Sequence, residues 1–265
     1  MNYKQPIFIA VGIITAAIVI ALFVAYTKRV ENPTIQNETQ NEVLEEKMIT
    51  FAPEMISLAE NSYLLDIQGS YPQFTQSGPE FNKTIKDFVV TGIESFKQES
   101  NDNHKARIEN GWGGFEKEFT QKGLYSYQVK TEIIQSNSSF ISIAITVSGY
   151  TGGAHGYSNT VTFNYDVKNK KEIGLDYFYP NNPNYLKTIS DISRVQLTEK
   201  LIKASEQDVL DDNIKSMMIE GTDPSNPQNF KMFTFTNNEI HVYFGQYQVA
   251  PYVYGEQTII LPRNQ

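Results

Sequence analysis

FISIAITVSGYTGGAHGYSNTVTFNYD, residues 140–166, decides how the chain folds. Residues 140–148 and 159–166 are rich in β-branched and aromatic side chains. Gly149, Gly152, Gly153 and Gly156 lie between them. Two strand-forming runs bounded by a glycine turn read as consecutive antiparallel strands. A third such run, residues 125–134, precedes them across a turn at 135–138, so the segment predicts an antiparallel meander.

On the N-terminal side, residues 62–70 read as a strand, with a turn at Tyr71-Pro72. Ser77-Gly78-Pro79-Glu80 has the form of a capping box, and Phe81, Ile85, Phe88, Ile93 and Phe96 follow at helical spacing. Residues 101–123 are polar and contain glycine, which predicts a long loop around Trp112, the only tryptophan. On the C-terminal side, Asn182-Pro183 opens a second helix carrying Leu186, Ile189, Ile192, Leu197 and Leu201. A third helix follows the Ser205-Glu206-Gln207-Asp208 cap, carries Val209, Leu210, Ile214, Met217 and Met218, and stops at Gly221. Strands return at 230–236, 239–244 and 257–261, and Asn237-Asn238 is expected to take the positive φ of a two-residue hairpin turn. The order gives an α+β fold, antiparallel sheets packed with three helices. One domain, or two subdomains divided as 50–180 and 181–265, both fit this pattern.

Residues 7–26 are apolar apart from Thr15 and Tyr26 and lie between Lys4 and the pair Lys28-Arg29. A helix of about 20 residues rises about 30 Å, enough to cross a bilayer's hydrocarbon core. A signal peptide carries a shorter apolar region of ~7–15 residues and a small residue where Phe23 stands, two positions before Ala25. The expectation is therefore a retained single-pass anchor in the cytoplasmic membrane. Residues 1–6 form a short cytoplasmic end, residues 27–49 a polar tether, and the folded part lies on the extracytoplasmic side. With no cysteine in the chain, neither a disulfide nor a lipidated cysteine contributes.

Lys4, Lys28 and Arg29 are the basic residues before Val30, and no acidic residue precedes Glu31, so residues 30–265 hold 19 basic and 30 acidic side chains, net −11. This balance disfavours nucleic acid and would steer a cationic protein inward, although simple solubility accounts for it as well. His104, His155 and His241 stand far apart in sequence, and no thiol joins them, so no metal site or other cofactor is called for. Serine-hydrolase elbows and phosphate-binding loops are missing from the sequence too. A carboxylate pair acting as acid and base stays open.

Two segments are candidates for recognition. In Gly152-Gly153-Ala154-His155-Gly156, Gly153 and His155 either shape a tight connection, with the imidazole bonded to backbone, or present a ligand site. The stretch from Phe244 to Gly255 carries Tyr247, Tyr252 and Tyr254, of which the last two share a side if the link is extended. These rings pack on the core or rim, or form a recognition surface. Trp112 divides in the same way.

Tyr71-Pro72-Gln73, Phe81-Asn82, Gly152-Gly153-Ala154-His155-Gly156 and Asn164-Tyr165-Asp166, in this order, resemble the PdaC-type extracytoplasmic domain. Phe233-Thr234-Phe235, Tyr247-Gln248-Val249-Ala250-Pro251-Tyr252 and Gly255 resemble its RsiV-type companion, so the resemblance to RsiV/PdaC-like domains covers about residues 55–262. It implies an α+β domain of the bacterial cell envelope that recognises a lysozyme-like protein or peptidoglycan. The alternative is an envelope enzyme acting on glycan through His155 or a carboxylate pair. Relatives that deacetylate or that restrain a sigma factor do so with segments not found here, so neither activity is expected to carry over.

Overall fold

The meander forms as expected. β3 (Tyr125–Ser136), β4 (Phe140–Tyr150) and β5 (Tyr157–Asp166) pair antiparallel, with Gln128 opposite Ser148 and Ser148 opposite Ser158. This computed structural model describes residues 50–111 and 123–263. The expected span 7–26, the tether 27–49 and Trp112 lie outside the described residues, among which no helix is long and apolar enough to cross a membrane.

Two strands, not one, precede the first helix: β1 (Glu54–Asn61) and β2 (Leu65–Gln73), paired antiparallel. Tyr71-Pro72 is not a turn but lies within β2, opposite Ile56 and Met55. Proline is tolerated there because β2 leaves β3 after Gly69, so the missing N–H interrupts no ladder on that side. β2 and β3 are parallel, which requires a crossover, and α1 (Pro79–Glu109) supplies it. A short β6 (Lys171–Glu172) completes a six-stranded sheet in the order β1-β2-β3-β4-β5-β6.

α1 runs further than expected, since residues 101–109 are helix and not loop. Their apolar spacing has lapsed, but Lys105 and Glu109 sit one turn apart at 3.9 Å, and Asn103 Nδ2 donates to the Thr151 carbonyl at 2.7 Å. The helix stops where Gly111 takes a φ of +76°. The capping box does not form either. Gly78 is the N-cap, and Ser77 Oγ donates to the Phe74 and Gly78 carbonyls. The Gly78 N–H donates to the Tyr165 hydroxyl at 3.0 Å, so a distant strand fixes the residue that leads into this helix.

Phe81, Ile85, Val89 and Phe96 bury one face of α1 against Leu65, Ile67, Tyr125, Tyr127, Val129, Ile143 and Ile145. Gly92 sits mid-helix where a Cβ would meet the Tyr127 hydroxyl at 2.3 Å. The local cost of glycine in a helix, about 1 kcal/mol, is thus tied to packing one phenol.

The second core gathers α2 (Tyr185–Ser205), α3 (Asp212–Gly221) and a three-stranded antiparallel sheet of β7 (Phe233–Phe235), β8 (Glu239–Phe244) and β9 (Gln257–Pro262). The cap of α3 is Asp211, whose carboxylate accepts from Ile214 N at 2.9 Å. The expected cap at 205–208 instead ends α2, with Glu206 left-handed and Val209 exposed. In the β7–β8 turn neither asparagine takes a positive φ, because Thr236 Oγ1 accepts from both Asn238 N and Glu239 N and fixes the reversal.

The two sheets are joined by a buried polar chain. Ser142 Oγ accepts from Phe235 N and donates to Asn164 Oδ1, and Asn164 Nδ2 donates to the Phe233 carbonyl at 2.7 Å. Thr162 Oγ1 accepts from Phe233 N at 3.0 Å. Side chains of β4 and β5 thus complete the backbone bonding of β7 that β8 does not reach.

Burial pushes the Tyr127 phenol up to about 12 from an ordinary 10.0. Ionisation is disfavoured in the fold and unhindered in the unfolded chain, so this contribution is whole below pH 10 and lost as pH rises toward about 12. A Tyr127→Phe variant should lose less stability than the parent between about pH 10 and 12, with no such difference near roughly pH 8, as read by urea unfolding at each pH.

Candidate functional site

Gly152 adopts φ +93° and packs its bare Cα against the Tyr125 ring, while a Cβ on Gly156 would meet the Gly149 carbonyl at 2.9 Å. These two glycines make the β4–β5 reversal tight enough to turn the Gly156 carbonyl toward the C-terminal segment. That oxygen accepts from the Tyr252 hydroxyl at 2.9 Å, and His155 Nδ1 lies at 2.9 Å from it as well. A carbonyl only accepts, so the proton of the imidazole sits on Nδ1 in this contact. The imidazole also stacks on the Tyr252 ring, centroids 4.1 Å apart at 29°. Tyr247 adds a tilted contact to the same ring at 5.7 Å.

The C-terminal loop is held from beneath by Gln248. Its Nε2 donates to the Gly221 and Asn229 carbonyls, its Oε1 accepts from Gly245 N, and Val249 and Ala250 are buried beside it. With its base fixed, the loop exposes Tyr247 at 55% and Val253 at 83%. Tyr247 keeps a left-handed φ of 65°, which a tyrosine rarely adopts and which over-determined surroundings must impose.

Between the two loops is an open cleft of about 300 Å³. Its floor is the upper part of one sheet face, formed by Ser126, Gln128, Ser148 and Ser158, and Tyr150, Tyr157, Gln246 and Tyr252 also line it. Ser148 Oγ donates to Ser158 Oγ at 3.2 Å, and Ser158 N donates to Gln246 Oε1. One register step down, Glu256 accepts from Thr160 N at 2.7 Å and from Thr160 Oγ1 at 2.8 Å. Gln246 and Glu256 thereby close the open edge of β5 with side chains. Burial and the nearby Glu99 carboxylate push the Tyr157 phenol up, so it is a neutral donor at physiological pH. Glu99 itself accepts from Thr151 Oγ1 at 2.9 Å.

Of the residues singled out from sequence, His155, Tyr247 and Tyr252 are brought together, and Gly153 stands exposed in the same loop with its Cα face open. Tyr254 is elsewhere. Residues Tyr252–Tyr254 form a single 3₁₀ turn instead of an extended link, and Tyr254 packs on the second core. Trp112 lies outside the described residues. Sequence reasoning does not find the cleft-lining Ser126, Gln128, Ser148, Ser158 and Gln246, although the alternation of polar residues along β3 and β4 signals the first three. No group of three or more histidine, aspartate or glutamate side chains is placed to hold a metal ion among the described residues.

Residues 58–158 match the family described as deacetylase PdaC, and residues 176–264 match a family of unknown function, DUF3298. A curated relative, the peptidoglycan-N-acetylmuramic acid deacetylase PdaC of Bacillus subtilis, is 25% identical over 211 residues, or 80% of this chain. The chain spans 40% of that relative's length. A solved DUF3298-family structure from Bacteroides fragilis has the same fold at a TM-score of 0.50 and 17% identity, over 82% of this chain and 90% of that one.

The aromatic stack and the hydroxyl bond lie at the surface, so they set the geometry of the site more than the stability of the fold. His155→Ala and Tyr252→Phe should each cost about 0.5–1.5 kcal/mol in urea denaturation. A loss above about 3 kcal/mol for either would make the contact a structural keystone instead.

Proposed function

The chain carries a PdaC domain followed by a DUF3298 domain, and from that premise we propose that it is a cell-envelope binding protein whose cleft beside Tyr252 takes a glycan segment of peptidoglycan. The observation that carries this reading is the lining of the cleft. Hydroxyl and amide groups from Ser126, Gln128, Ser148, Ser158 and Gln246 offer both donors and acceptors without charge, next to the tyrosine rings of Tyr150, Tyr157 and Tyr252. Sugar hydroxyls need both kinds of partner, and the apolar faces of a sugar ring suit an aromatic surface. The name of the Bacillus subtilis relative points to the same polymer.

In this proposal residues 7–26 are a single-pass anchor and 27–49 a tether that holds the domain outside the cytoplasmic membrane, as the apolar run and its flanking charges support. A lysozyme-like cationic protein is the second reading, favoured by the net −11 of residues 30–265. The enzymatic reading has weaker support. Glu256 spends both oxygens on Thr160, Glu99 is engaged by Thr151, and the His155 imidazole is turned to a backbone carbonyl. The deacetylase activity in the relative's name belongs to a protein of which this chain spans 40%.

Co-sedimentation of the full chain with purified sacculi tests the proposal, with lysozyme as a parallel arm. Saturable binding to sacculi is expected, weakened about tenfold or more by Tyr252→Ala and changed little between roughly 0.05 and 0.5 M salt, because the cleft is uncharged. Binding confined to lysozyme and lost with salt would select the second reading. Saturable binding to neither would end both.

A further inference from the structure

Arg263, directly after β9, sits in a cage of phenylalanines. Its guanidinium carbon lies 5.3 Å from the ring centroid of Phe140, 5.1 Å from that of Phe178 and 5.3 Å from that of Phe235. Phe178 and Phe235 are buried, so the rings displace much of the water a guanidinium would otherwise hold. Nη1 donates to the Thr236 carbonyl at 2.8 Å. Four of the five N–H donors of the side chain have no acceptor among the described residues, and no carboxylate there lies within ion-pair distance. Burial lowers the pKa of this arginine without bringing it near neutrality, so the cation persists. A partly desolvated charge is ordinarily matched by an opposite one, and in a domain with surplus carboxylates the mismatch is informative.

The guanidinium borders a cleft of about 740 Å³, whose lining includes Tyr177, Tyr179, Asn181, Asn182, Thr188 and Asn237. It shares no lining residue with the cleft beside Tyr252. Asn181, Asn182 and Thr188 add neutral hydrogen-bonding groups to the same lining, with Asn182 Oδ1 already accepting from Asn184 N at 3.0 Å.

We propose that this cleft is a second binding site, which takes a ligand bearing a free carboxylate and seats that group on the Arg263 guanidinium. The planar fork matches two carboxylate oxygens, and the phenylalanine cage holds it in place before the ligand arrives, which limits the ordering cost of binding. The asparagines and Thr188 then contact the body of the ligand. A peptide C-terminus and a sugar acid both present this chemistry.

Isothermal titration of the full chain in detergent separates the sources. The probes are N-acetyl-alanyl-alanine, its C-terminal amide, and N-acetylmuramic acid. Saturable binding of at least one carboxylate probe is expected, with the tighter one naming the source, and the amide should bind about tenfold more weakly than its parent acid. Arg263→Lys keeps the charge but loses the fork and should weaken the acid about tenfold. Asn181→Ala combined with Thr188→Ala leaves the cage untouched and should weaken binding several-fold at an unchanged melting temperature, which a purely structural Arg263 would not predict. Equal binding of acid and amide, or no saturable binding of either carboxylate, overturns the proposal. Because the site is separate, it stands or falls whether or not sacculi bind beside Tyr252.

Discussion

The bond between Asn164 and the backbone of β7 is the constraint on which the rest of the molecule depends. β7 has three residues, all buried, and β8 pairs it on one side. A strand so short has no means of its own to bond the remaining amides and carbonyls, and each one left unpaired away from water would cost a few kcal/mol. Ser142, Asn164 and Thr162 meet that need with side chains, and the strands carrying them belong to the other sheet. The two hydrophobic cores are therefore held in one register by directional bonds, where apolar contact alone would tolerate sliding.

From that fixed register follows the meeting of two loops that lie far apart in sequence. Residues next to Asn164 tie down the opposite end of the sheet as well. Tyr165 accepts from the N–H of Gly78, the residue before α1, and packs on Phe81 at 4.6 Å, and Asp166 accepts from Asn169 N and Nδ2 to shape the reversal into β6. Asn82 in turn clamps both backbone groups of Phe74, at 2.9 and 2.8 Å. Two motifs that look like surface signatures in the sequence, Phe81-Asn82 and Asn164-Tyr165-Asp166, are thus clamps on backbone, and only the glycine–histidine reversal and the Tyr247–Tyr252 loop reach the open cleft.

How much of this was legible in the sequence follows from which interactions leave a periodic trace. The meander, the apolar face of α1 and the helical character of α2 are local patterns, and they can be read directly. β1 escaped because its inward face is only half-buried and carries just two apolar residues, Ile56 and Leu58, before Glu60, too short an alternation to stand out in the sequence. The extension of α1 past Ser100 escaped for a related reason, since its polar residues are ordered by contacts such as Asn103 to Thr151 that sequence spacing does not encode. The capping box at Ser77 has the right letters, yet the N-cap is Gly78, held by a tyrosine 87 positions away, and Ser77 Oγ bonds carbonyls instead. For the site, aromatic and glycine content marked His155 and Tyr252, whereas Gln246 and the serines of the floor became visible only with strand register. An extended link would set Tyr254 beside Tyr252, and the 3₁₀ turn removes that arrangement.

Strand register also explains why one sheet face both holds the fold together and forms the cleft. On β4, Ile141, Ile143, Ile145 and Val147 face α1, while Ser142, Ala144, Thr146 and Ser148 face the other way. At the lower end small side chains are needed so that β7 can approach to bonding distance, and polar ones so that its backbone is satisfied. At the upper end the same polar character leaves a floor of hydroxyl and amide groups facing the cleft. No change of sequence pattern separates the two halves. What separates them is where the C-terminal segment stops covering the face, at the side chains of Glu256 and Gln246 on the edge of β5. The boundary between scaffold and site is therefore set by a tertiary contact, and a substitution at Ser142 acts on folding while the same substitution at Ser148 acts on what the cleft can hold.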